Sequence, residues 1–156
     1  MTIGCCFPFH RAHLRTPVPA MCICCAGLSP QDVCDSAGGK VLISGSYRLG
    51  INFKGGDIDS IVVVPGQLSY EDFFSVFVDK LQALPETEDI IPIPGAHVPI
   101  IQLLFDGVDL DLLFCAMSTS TVPAKLDILD DNILAVVKDE RAQRRYDGVP
   151  FLVFVV

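Results

Sequence analysis

The sequence predicts an α/β (α+β) domain, a small mixed or antiparallel sheet with helices packed on it. Three observations predict it. Apolar runs of strand length recur through the middle of the chain, an Asp106-Gly107 pair joins two of them, and an apolar stripe at helical spacing lies between others. Of the 156 residues, 51% are hydrophobic and 19% charged, a composition apolar enough to offset the entropy of ordering one domain.

Lys40-Val41-Leu42-Ile43-Ser44 reads as a short strand stopped by Gly45. Ile58 to Val64 alternates weakly and then runs fully apolar, as a strand buried on both faces does. Pro65-Gly66 punctuates its end. Ser69 is a good N-cap with Asp72 three residues on. Tyr70, Phe73, Phe74, Phe77, Leu81 and Leu84 follow at helical spacing, so a helix is expected over Tyr70–Leu84, stopped by Pro85. Pro92 and Pro94 mark a link. Val98–Phe105 and Val108–Phe114 are two apolar strands, and Asp-Gly between them signals a hairpin, because a type I′ turn needs φ > 0 at both positions.

Composition divides the chain into three zones. Residues 1–28 hold five of the seven cysteines and show no helical or strand period, so they read as a poorly ordered leader. Residues 29–135 form the patterned domain. Residues 136–156 are a basic, helix-like stretch followed by an apolar tail. An odd cysteine count without a signal peptide points to free thiols in a reducing compartment. Cys22, Cys24 and Cys25 are spaced too tightly for a regular zinc finger. No apolar run approaches the ~18 residues of a membrane span, so no membrane partner is expected. The 19 acids against 11 bases, a net charge of -8, exclude a polybasic nucleic-acid or membrane binder at the level of the whole chain. Lys138, Arg141, Arg144 and Arg145 form one basic cluster, read as a solvated helix end.

The chemistry concentrates in carboxylates. Asp57 and Asp59 lie at i and i+2 on an expected strand, so both point to one side. Carboxylates this close raise one another's pKa unless a cation lies between them. Hard oxygen donors suit Mg²⁺, usually held by one or two carboxylates plus substrate phosphates. Asp109 and Asp111 make a second pair on the hairpin, and one of them, beside the Asp57 strand, would complete a three-carboxylate site. Asp111 stands between Leu110 and Leu112-Leu113-Phe114, where an unpartnered charge would be costly. Upstream, Gly45 lets the backbone approach a phosphate, and Ser46 with the N–H groups of the next turn can cradle its oxygens.

Ser44-Gly45-Ser46 with Asp57-Ile58-Asp59 resembles the signature of the DNA polymerase β nucleotidyltransferase superfamily. More narrowly, Gly45-Ser46-Tyr47-Arg48-Leu49-Gly50, Asp57-Ile58-Asp59, Asp72-Phe73-Phe74, Val98-Pro99-Ile100-Ile101 and Phe105 to Leu112 resemble, in order and spacing, the catalytic domain of eukaryotic nuclear poly(A) polymerases. The resemblance runs from about Ser29 to Asp131. It implies a polymerase β-like palm, with Asp57, Asp59 and Asp111 as catalytic metal carboxylates for two Mg²⁺ or Mn²⁺ ions. It implies that Ser44, Gly45 and Ser46 hold the phosphates of ATP and that His97, where the family typically has Phe, stacks on adenine. The implied reaction is attack of an RNA 3′-OH on the α-phosphate of ATP with release of pyrophosphate. A nuclear location and 3′-end processing factors as partners are implied with it.

Departures from the family pattern are also visible. Gln102 stands where relatives often have Lys, and Phe53 where they often have Thr. The family continues into a middle domain and an RNA-binding domain, so the chain reads as a truncated palm whose 136–156 stretch approaches a missing middle domain. Other superfamily activities, uridylyl transfer or oligoadenylate synthesis, and an inactive palm acting only as a binding module are the alternative readings.

Overall fold

The computed structural model describes residues 37–48, 50–51, 55–123 and 126, together with the backbone of 145–146 and 149–150. The 1–28 leader and most of the 136–156 stretch therefore lie outside the described residues. In chain order the elements are β1 (Lys40–Ile43), α1 (Gly45–Arg48), β2 (Ile58–Val64), α2 (Tyr70–Phe74), α3 (Val76–Gln82), β3 (Thr87–Ile93), β4 (Ile100–Phe105) and β5 (Val108–Ala116). A short ladder pairs β6 (Arg145–Tyr146) with β7 (Val149–Pro150), so Arg145 is extended where a basic helix was expected.

Five strands form one sheet in the order β1-β2-β5-β4-β3. Only β2 and β5 run parallel; every other neighbouring pair is antiparallel. Of the mixed or antiparallel sheet expected from sequence, the mixed form is present. The Asp106-Gly107 turn has φ of 49° and 76°, the two positive values a type I′ turn demands. From it the hairpin register runs outward, Phe105 opposite Val108 and Gln102 opposite Asp111.

Two expectations change. The helix expected over Tyr70–Leu84 is broken at Ser75, which separates α2 from α3 with φ -119° and ψ -83°. The Ser75 hydroxyl donates to the Glu71 carbonyl at 2.6 Å, a side-chain bond that competes with the helical ladder. The Pro92–Pro94 link is largely a strand, β3, with Pro92 inside it. An edge strand tolerates proline because one row of its N–H groups has no partner to lose. Asp89, at φ 49°, lies within a register shift between Glu88 and Ile91.

The sheet has two unlike faces. Leu110, Leu112, Phe114 and Ala116 of β5 pack with Val62 and Val64 of β2 under Phe73, Phe77 and Leu81 of the helices. Phe73, 1% exposed, stacks on Phe77 at 5.1 Å and meets Phe114 at 5.2 Å. Burying one such ring is worth about 1.5–3 kcal/mol. On the other face Ile61, Val63, Leu113, Cys115 and Met117 form a smaller cluster. Cys115 is buried there and is in no disulfide. The carboxylates lie at one end of this second face.

Candidate active site

The parallel pairing of β2 with β5 sets Asp59 directly opposite Asp111. Partners on adjacent strands point to the same face, with the strands about 4.8 Å apart. On the far side of Asp111, β4 places Gln102 opposite it. On the far side of Asp59, the Ser44 N–H donates to the Asp59 carbonyl at 2.8 Å, continuing the β1–β2 register. Ser44, Asp59, Asp111 and Gln102 thus stand in one row. Asp57, just ahead of β2, and Asp109, on β5, come one step along the same face, and both are exposed.

Electrostatics follows from this placement. Burial, then the charge of Asp57, then that of Asp111, push the Asp59 pKa above its ordinary value. Asp111 is raised too, by burial first. The Gln102 hydrogen bond opposes that rise, and the charges of Asp57 and Asp109 add to it. Two neighbouring carboxylates that repel and are partly desolvated favour a cation between them, and hard oxygen donors fit a divalent one. Among the described residues, no group of three or more His, Cys, Asp or Glu side chains is gathered as tightly as a metal cage. Asp59 and Asp111 are therefore brought side by side, with Asp57 in electrostatic reach but not closed around them. Mutual repulsion opposes a tighter cluster.

Gly45 opens α1 with φ 61°, and a Cβ built there would collide with the Asp59 carboxylate. Only glycine fits both the left-handed backbone and the close approach. Ser46 is half-buried in α1, next to that contact. Ser44 lies just past the end of β1, directly ahead of this turn. It is 0% exposed, and its Oγ is buried without a hydrogen-bond partner. The chain turns back after Ser44, so that α1 packs against β2 and covers it.

His97 is not in the carboxylate row. It is exposed on the β3–β4 link, three residues ahead of β4, whose first residue pairs with Leu113 rather than Asp111. Tyr70 donates to the Pro94 carbonyl at 2.7 Å and ties this link to α2.

A profile of the poly(A) polymerase nucleotidyltransferase domain family matches residues 22–148. The chain belongs to that family. Poly(A) polymerase PAPalpha of Candida albicans is 45% identical over 118 residues, which is 76% of this chain and 21% of that protein. Poly(A) polymerase pla1 of Schizosaccharomyces pombe is 39% identical over 109 residues, 70% of this chain and 19% of that protein. The chain spans about a fifth of the length of the curated relatives it matches. The crystal structure of Cid1 poly(U) polymerase overlaps 49% of this chain and 23% of that one, at 22% identity and a TM-score of 0.37, too shallow a likeness to argue from.

One residue of this poly(A) polymerase-family site went unread in the sequence except as a departure. Gln102 donates its amide to Asp111, at 3.1 Å to Oδ1 and 3.4 Å to Oδ2. A signal for it exists: counting outward from a two-residue turn at 106–107 puts 102 opposite 111.

Proposed function

We propose that the chain is a polynucleotide adenylyltransferase domain that transfers AMP from ATP to an RNA 3′-OH and releases pyrophosphate. The observation that carries this reading is the side-by-side placement of Asp59 and Asp111 across the parallel β2–β5 pair, beside the Gly45–Ser46 turn. Asp59 and Asp111, with Asp57 as the third carboxylate, would hold Mg²⁺ or Mn²⁺. A bound ion of this kind supplies charge neutralisation on the triphosphate and a lowered pKa for the attacking hydroxyl.

The chain's own residues do the rest. Gly45 keeps the backbone close to Asp59, so that phosphates approaching α1 and a carboxylate-bound cation meet in one place. Ser46 offers a hydroxyl to a phosphate oxygen. Ser44, being buried, lines the floor of that turn, and its unpartnered Oγ faces the same side as Asp59. His97 takes the adenine side of the site in this reading, on a link braced by Tyr70. The nucleus and 3′-end processing factors follow from the same reading, and a fluorescent fusion in cells checks the first.

The test replaces the matching 118-residue segment of Candida albicans PAPalpha with the corresponding segment of this chain and assays extension of a labelled RNA primer. The chimera is expected to extend the primer with ATP in preference to GTP, CTP or UTP. Asp59→Asn and Asp111→Asn are each expected to lower the rate on the order of 10³-fold, about 4 kcal/mol of barrier. A folded chimera that is inactive, or one that prefers UTP, would contradict the reading.

A further inference from the structure

We propose that Gln102 is a positioning residue for Asp111, setting the orientation in which that carboxylate faces Asp59 and a divalent cation. The inference deepens the proposed function and rests on it. The strand register makes the contact obligatory, since Gln102 is the β4 partner of Asp111 on the same face. Its other cross-strand neighbour is Ile91 of β3, an alkyl side chain that offers the amide nothing to bond. The Nε2 group therefore has a carboxylate on one side and hydrocarbon on the other, and it donates to both Asp111 oxygens.

Asp111 needs such a partner. Asp57 and Asp109 act on it with like charge from the same face, and free rotation would turn its carboxylate away from Asp59 and toward solvent. The amide holds it without bringing a positive charge that would compete with a cation. Hydrogen-bond partners behind a metal ligand orient it, and their loss typically costs about 10–100-fold in metal affinity.

The experiment titrates Mn²⁺ into the 156-residue chain, followed by electron paramagnetic resonance, for the native sequence, Asp111→Asn and Gln102→Met. Methionine keeps the length of glutamine and removes the donor. The native chain should bind Mn²⁺, Asp111→Asn should lose binding, and Gln102→Met should bind about 10–100-fold more weakly while still unfolding cooperatively as a folded chain. Native affinity in Gln102→Met, with binding still lost in Asp111→Asn, would overturn the positioning role and leave the proposed function standing. No binding by the native chain, or undiminished binding by Asp111→Asn, would overturn both. Should Gln102→Met fail to fold, the ¹⁵N-labelled side-chain amide of Gln102 in the native chain decides. Its resonances should shift as Mg²⁺ saturates the site, and unchanged resonances with the ion bound would overturn the role.

Discussion

At Asp59 and Asp111 the folded chain holds two carboxylates above their ordinary pKa, each for burial first and neighbouring negative charge after it. The sign of the consequence is fixed. A carboxylate whose folded pKa exceeds its unfolded value binds more protons in the native state, so its contribution to stability falls as pH rises from the unfolded pKa through the raised one. Without divalent cation, Asp59→Asn should therefore unfold at a higher temperature than the native chain near neutral pH. The gap should narrow as pH falls through ~4 and close below ~3, where Asp59 is protonated in both states. Thermal scans in chelator across that range check it, and a pH-independent gap would contradict it. Gly45 sits beside this pair under a different constraint. Gly45→Ala puts a side chain at φ 61° and into the Asp59 carboxylate. The left-handed backbone alone costs about 1–2 kcal/mol, and denaturant unfolding should show at least that loss. Adding Asp59→Gly should recover the part due to the collision and leave the backbone part.

Among the elements, those fixed by local chemistry were the legible ones. β2 matches its apolar run from Ile58 to Val64, and the Asp106-Gly107 turn takes both positive φ values. Ser69 caps α2 as its spacing to Asp72 requires: its hydroxyl accepts the Asp72 N–H at 3.1 Å, and its own N–H donates to the Asp72 carboxylate at 3.0 Å. Ser69→Ala should cost about 1 kcal/mol in denaturant unfolding, the usual loss of a good N-cap. A loss below ~0.3 kcal/mol would mean that packing of Phe73 and Phe77 holds the helix start unaided. What escaped the sequence depended on neighbours far along the chain. Pro92 argued against a strand because nothing local says that β3 is an edge, and the break at Ser75 turns on where one hydroxyl points. The site divides in the same way. The carboxylates were visible as a spacing, but the alignment of Asp111 rather than Asp109 with Asp59 comes from the pairing of β2 with β5, two strands far apart in sequence. The burial of Ser44, at the junction of β1 and α1, is likewise something that no spacing reveals.

Across the whole molecule, one sheet separates two tasks. The helix-covered face is apolar from β4 to β2 and carries the larger core, while the opposite face ends in Asp59, Asp109 and Asp111 on two adjacent strands, with Asp57 just ahead of β2. A core on one side lets the other keep charges that repel, because the strands carrying Asp59 and Asp111 are pinned from behind by Val62, Leu112 and Phe114. With a net charge of -8 the molecule repels nucleic acid at long range, so a cation at this end of the sheet would supply the local positive field that a triphosphate needs.

The most direct measurement is an anomalous difference map from crystals of the chain grown with Mn²⁺ and a non-hydrolysable ATP analogue. A peak is expected between Asp59 and Asp111, about 2.0–2.3 Å from an oxygen of each, with the analogue's phosphates on the Gly45–Ser46 side. Ordered analogue elsewhere on the chain, or Mn²⁺ bound away from Asp59 and Asp111 while those two side chains stay bare, would contradict the assignment of this row as the site.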